Sequence, residues 1–227
     1  MAQVVTGIGT SHGPQLKTPS QGWPERGAAD RRNAGLEFRG RTYTFDGLRA
    51  VREDFSAQCT PEVMAGRYAA CQDALDRLGA HLREAAVDVL VIVSSDHKEV
   101  FGDDLLPAFA VYWGDSVEHV PFTEEQIAAM APGLGAAARG DVPDHHIVRP
   151  CDPALARHLI EAAGADGFDV SASRTLPAGR YDNHGIPHGW GYIYQRIVGE
   201  SSTVPFVPVF VNTFYEPNPP TAARCLA

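Results

Sequence analysis

An α/β fold, a three-layer α/β/α sandwich around a largely parallel (mixed) sheet, is predicted by three features of the sequence. Strand-like and helix-like runs alternate along the chain. One strand-like run, residues 87–95 (VDVLVIVSS), is almost continuously apolar and β-branched, the composition of a central strand covered on both faces. Helix starts with recognisable capping chemistry lie between the strands.

The first strand is expected over residues 3–8, running into the loop Gly9-Thr10-Ser11-His12-Gly13-Pro14. Residues 15–43 read as a long irregular excursion of the kind that often faces a substrate or partner. Its arginines, among them Arg26, Arg31, Arg32 and Arg39, are interleaved with Gly, Ala and acidic residues and so fit a solvated surface. Thr60-Pro61 opens a strong helix, with Thr as N-cap and Pro in the first turn. Its apolar stripe is Met64, Tyr68, Cys71, Leu75, Leu78 and Leu82, at alternating spacings of four and three. After the strand at 87–95, residues 106–113 (LPAFAVYW) form a second strand candidate, whose early proline suits an edge or a strand beginning. Thr123-Glu124-Glu125-Gln126 is a capping box, and Asp152-Pro153 begins another helix. A strand over 168–174 precedes the glycine-containing loop around His184. A helix from Pro187 then turns Trp190, Ile193, Tyr194 and Ile197 inward and stops at Gly199. The last strand, 204–212, leads into a proline-rich turn, and a further helix begins at Thr221.

Composition removes several classes of function. Nineteen basic against 28 acidic side chains leave a net charge of −9, the wrong balance for gripping nucleic acid or anionic lipid. The four cysteines, Cys59, Cys71, Cys151 and Cys225, include no CxxC pair, so neither a zinc ribbon nor a disulfide framework is indicated. A cytoplasmic protein is expected, without a membrane span, and residues 1–227 are expected to form one catalytic domain.

In open α/β sheets, ligands bind beyond the carboxyl ends of the strands. Three runs end in polar residues at such points: 3–8 leads to His12, 87–95 to Asp96-His97, and the last strand to Asn212. His184 follows a fourth. Two or three imidazoles brought together could hold a first-row transition metal, or one could act as acid and base beside it. No HExxH spacing is present, so any such site is assembled from distant strands.

The segments Gly7-Ile8-Gly9-Thr10-Ser11-His12-Gly13-Pro14, Ser95-Asp96-His97 through Phe101 and Pro107-Ala108-Phe109-Ala110, Asp182-Asn183-His184-Gly185, and Pro208-Val209-Phe210-Val211-Asn212 with Arg224-Cys225 carry a resemblance. Together, in this order, they resemble the class III extradiol ring-cleavage dioxygenases of the protocatechuate 4,5-dioxygenase type. That resemblance implies His12 and His97 as ligands of a non-haem Fe(II), within a face of two histidines and one carboxylate. It implies His184 as the catalytic acid and base, with a catechol-type aromatic and O2 as substrates, and a homo-oligomer or a complex with a small partner subunit. The family's third ligand is a glutamate on the helix after the proline-rich turn. The chain stops within that helix, so this ligand is expected beyond Ala227, with Glu216 and Glu200 as the substitutes on hand.

Neighbouring residues carry two readings each. Asp96 and Asn183 adjoin proposed functional histidines and could orient them, or serve as turn residues. His188 could line the pocket or merely start the helix. Trp190, Tyr192, Tyr194 and Tyr215 could wall a catechol pocket or fill the core. His145-His146 fits a solvated turn, and His81, His119 and His158 receive no role. Two rival functions stay open: a zinc-type hydrolase on the same scaffold, and a non-catalytic binding or accessory subunit that kept the fold.

Overall fold

The structure, a computed structural model, describes residues 2–52 and 54–226. Its contacts divide the chain into two compact units, one made of residues 9–78 and 122–140 and the other of 1–8, 79–121 and 141–227.

The smaller unit is built from short elements: α1 (Pro14–Lys17), α2 (Trp23–Asp30), a hairpin of β1 (Leu36–Phe38) and β2 (Arg41–Tyr43), and α3 (Phe45–Val51). It also holds residues 61–78 of α4 (Pro61–Ala85), together with α5 (Glu124–Ala129) and α6 (Gly135–Ala138). The excursion expected to be irregular is thus largely folded. Gly and Pro break it into elements too short for periodicity to register, and the β1–β2 turn uses positive φ at Arg39 (52°) and Gly40 (72°). Thr44 caps α3, and Thr123 and Gln126 complete the expected capping box on α5. The start of α4 is capped by Thr60 Oγ1, which accepts from the Val63 amide at 3.3 Å. In its stripe Leu75 and Leu82 are buried, as the periodicity requires.

The larger unit carries the main sheet. Its strands β3 (Leu90–Asp96), β4 (Phe109–Tyr112), β7 (Ser171–Ser173) and β8 (Phe206–Asn212) run in the order β3-β8-β4-β7. The sheet is mixed: β3 is parallel to β8 and β4 to β7, while β4 and β8 are antiparallel. A separate ribbon pairs β5 (Ser116–His119) with β6 (Ile147–Pro150). Asp152 accepts from the Ala154 and Leu155 amides to start α7 (Pro153–Ala165), which covers one face of the sheet through Ala156 against Val111 and Val207. On the other face, α8 (His188–Ile193) and the π-turn over Tyr194–Val198 bury Trp190 and Tyr194 against Ile92, Phe206 and Phe210. The turn ends where Gly199 takes φ of 100°. The α9 helix (Ala222–Leu226) follows the proline-rich turn. The α/β class and flanking helix layers match the expectation. Among the described residues no helix is long and apolar enough to cross a membrane.

Two strand expectations need correction. Residues 3–8 form no strand, and Val4 stays 89% exposed. Glycines at 7 and 9 weaken the run, and no neighbour takes up its backbone hydrogen bonds among the described residues. β3 is an edge strand, not a central one, with Val93 62% exposed. The apolar run was right about strand identity, but strand order depends on distant segments. The interior positions belong to β8 and β4, and the early β8 residues Phe206 and Val207 are fully buried. The early proline of 106–113 precedes the observed β4, which lies between β8 and β7, so it marks a strand beginning.

Candidate functional site

The site grows from the carboxyl ends of β3 and β8. Parallel pairing sets Asp96 directly beside Asn212, both buried. Each gathers the backbone of the loop that follows it. The Asp96 carboxylate accepts from the amides of Glu99 (2.9 Å), Val100 (3.2 Å) and Phe101 (2.7 Å). Asn212 accepts from the Tyr215 amide (2.9 Å) and donates to the carbonyls of Tyr215 (2.8 Å) and Asn218 (2.9 Å). Burial raises the Asp96 carboxyl from its ordinary value, against the opposing pull of those three amides. Of its two expected roles, Asp96 therefore fills the loop-forming one: it shapes the turn that presents His97.

These loops place His97 among aromatic rings. Phe214 lies 6.1 Å and Tyr215 6.3 Å from it, centroid to centroid, both edge-on, and the two stack on each other at 4.6 Å. Phe214 is 63% exposed, a large apolar ring left facing solvent beside an imidazole. Lys98 sits over the Tyr215 ring and forms a 2.6 Å ion pair with Asp103. Tyr215 is thus the one member of the expected aromatic wall that reaches the site. Trp190, Tyr192 and Tyr194 are core residues, with the Trp190 indole donating to the Ile92 carbonyl at 3.0 Å.

His188 opens α8 and stands 5.5 Å from His97, ring to ring. Their ligand nitrogens lie within 4.8 Å of one another. Behind His188 is Glu99, 8% exposed, whose carboxylate accepts from the His188 amide at 3.0 Å and bonds the ring Nδ1. Burial pushes the Glu99 carboxyl up, but its bonds and charge contact with His188 hold it below the usual value overall. Burial, and then the neighbouring His188, lower the pKa of His97 and favour its neutral, metal-competent form.

His184 lies in the same unit, on the loop 178–186. It takes φ of 54°, next but one to Asp182 at 49°, in the region that disfavours side chains. Amides of Asn183 and His184 both bond the Ala178 carbonyl, and Asn183 Oδ1 accepts from Gly185, so Asn183 is a turn-former here. His184 Nδ1 lies 2.9 Å from the Leu176 carbonyl. A carbonyl only accepts, so Nδ1 carries the hydrogen and the neutral ring presents a lone pair at Nε2. The loop is anchored to the His97 segment: the Arg180 amide donates to the Glu99 carbonyl (2.7 Å), and its guanidinium donates to the His97 carbonyl (2.8 Å).

His12 belongs to the smaller unit, in the turn before α1, where the Gly13 amide donates to Ser11 Oγ at 3.1 Å. His145 and His146 are exposed and contact Glu200 and Glu118. Glu99, Arg180 and Phe214 escaped the sequence reading. Nothing local marks Glu99 as buried, because its partner lies 89 residues away. A polar network around His119 also escaped it. His119 is 1% exposed, with Nε2 bonding the Asp141 carbonyl at 2.8 Å and Nδ1 facing the Arg149 guanidinium at 3.3–3.4 Å.

A pair of imidazoles, one backed by a carboxylate, beside an exposed aromatic face is a donor set able to hold a transition metal next to a planar substrate. No protein-family model matches the chain. It is distantly similar to proteins named 2,3-dihydroxyphenylpropionate/2,3-dihydroxicinnamic acid 1,2-dioxygenase. The Rhodococcus sp. protein is 27% identical over 154 residues, covering 66% of this chain and 40% of the relative. The Comamonas testosteroni protein is 26% identical over 166 residues, covering 73% and 43%. The Rhodococcus jostii (strain RHA1) protein is 26% identical over 166 residues, covering 70% and 44%. The chain therefore spans less than half the length of these curated relatives.

Proposed function

We propose that this chain carries the metal-binding part of an extradiol ring-cleaving dioxygenase, which opens a catechol-type aromatic next to its two hydroxyls with O2 at a non-haem Fe(II). The observation that carries this reading is the half-buried His97 beside both the Glu99-backed His188 and the exposed Phe214–Tyr215 stack. It is supported by the names of the distant relatives, each a dioxygenase of a dihydroxylated aromatic acid. Their shared dihydroxylated ring, and the resemblance to the protocatechuate-cleaving type, support a catechol-type substrate.

Neutral imidazoles suit Fe(II), and His97 and His12 are the proposed ligands, His12 on its sequence motif. When bound, Fe(II) would supply Lewis acidity and a path for electron density from the catechol to O2. The protein's share is positional. Phe214 and Tyr215 offer an aromatic face for the ring, and the fixed tautomer of His184 offers Nε2 to take one hydroxyl proton and return it later. The Leu176 carbonyl, by holding Nδ1–H, keeps that ring from presenting its protonated nitrogen instead.

The test is anaerobic loading with Fe(II), followed by O2 and a panel of catechols that includes 3-(2,3-dihydroxyphenyl)propionate and protocatechuate. A yellow ring-fission product is expected. Its rate should fall by about 10²–10⁴ in His184→Gln, with bound iron unchanged. Stoichiometric iron without product across the whole panel, or turnover with Zn(II) and none with Fe(II), would refute the proposal.

A further inference from the structure

We infer that His188 is itself a ligand of the metal, held in place by Glu99, whose carboxylate stands behind the imidazole. The inference rests on the metal-centre reading above and assigns it a residue that the sequence left between pocket lining and helix start.

Three observations carry it. The first is the double grip of Glu99, one carboxylate oxygen on the His188 amide at 3.0 Å and the other on its Nδ1. The amide bond satisfies one orphan donor at the start of α8, but the bond to the ring does something else: it fixes the rotation of the imidazole. With Nδ1 engaged, a ligand bond from this ring has to come from Nε2. A histidine whose second nitrogen is tied to a carboxylate is the usual outer arrangement of metal-bound histidines, because it sets the tautomer and strengthens the donor.

The second observation is distance. The ligand nitrogens of His97 and His188 lie within 4.8 Å. Bonds of about 2.0–2.1 Å from each, at a tetrahedral angle, need nitrogens about 3.3–3.4 Å apart, a closure of at most about 0.7 Å by each side chain. The third is rigidity. Glu99 is buried, its amide is held by Asp96 at 2.9 Å, and its carbonyl accepts from Arg180 at 2.7 Å. Gly179 closes on the same carbonyl so tightly that a Cβ there would collide with the oxygen. The carboxylate is therefore fixed before any ligand arrives, as a preorganised site requires.

Co(II) is the probe, because its visible bands report the number and type of ligands independently of turnover. Titrations should show one tightly bound Co(II) in the wild-type protein. His188→Ala should weaken binding by more than 100-fold and change the band pattern, and His188→Gly should recover part of both in millimolar imidazole. Glu99→Gln, which keeps an oxygen for Nδ1–H, should weaken binding by about 10- to 100-fold with the fold retained by circular dichroism. A His188→Ala protein with wild-type affinity and an unchanged Co(II) spectrum would overturn the inference and leave the dioxygenase proposal standing. Wild-type protein that binds neither Co(II) nor Fe(II) would overturn both.

Discussion

Acidification should destabilise the larger unit through His119. The ring is buried with both nitrogens committed. Nε2 donates to the Asp141 carbonyl, and Nδ1 accepts from an arginine, Arg149, that is itself buried, stacked 4.5 Å over Tyr194 and bonded to the Glu200 carbonyl. A second proton would have to enter at Nδ1, turning an acceptor into a donor aimed at a guanidinium. Burial, only partly offset by the Asp141 bond, brings the pKa down from 6.5 to about 4. Between those values the unfolded chain binds more protons than the native one, so stability rises with pH across the window and is lost as pH falls through it. A tenfold difference in proton affinity between the two states corresponds to about 1.4 kcal/mol, so the loss across the window comes to about 3 kcal/mol, a large share of a typical domain's margin. Urea unfolding at closely spaced pH values would measure it, with His119→Gln as the non-titrating control. The control should be less stable at neutral pH, where the imidazole fits its two partners, yet flatter between the two values. A His119→Gln protein with the same pH slope as wild type over that interval would refute the reasoning.

Two further outcomes follow from the packing. Asp96→Ala should strand three buried amides, at about 1–3 kcal/mol each, lowering the urea midpoint and weakening metal uptake as the His97 loop loses its shape. Gly191→Ala would drive a methyl group into the Asp141 carbonyl and to 2.9 Å from His119 Nε2, and thermal melting should register a cost of about 1–3 kcal/mol.

The elements that sequence revealed are those whose stabilising chemistry is local. Thr60, Thr123 and Asp152 bond amides two or three residues ahead, and α4 repeats its apolar stripe turn after turn, so these helices could be read directly. The place of β3 could not, because whether an apolar strand is central or marginal depends on β8, more than a hundred residues later. The same holds for the site. His97 stood out as a histidine at a strand end, but Glu99 became meaningful only against His188, and Phe214 only against His97. Trp190 and Tyr194 illustrate the opposite case. Both belong to the inward stripe read from helical spacing, and both are buried.

The side-by-side placement of Asp96 and Asn212 makes the β3–β8 pairing a measuring device. Side chains alternate between faces along a strand, so a single residue inserted within 90–95 would turn Asp96 to the opposite side and undo its loop. An insertion at the exposed Asp103-Asp104 turn would leave that alignment intact. Change in this protein is therefore channelled: the strands tolerate exchange of one apolar residue for another but not a change of length. The outer turns can lengthen and diversify without disturbing the loop that carries His97.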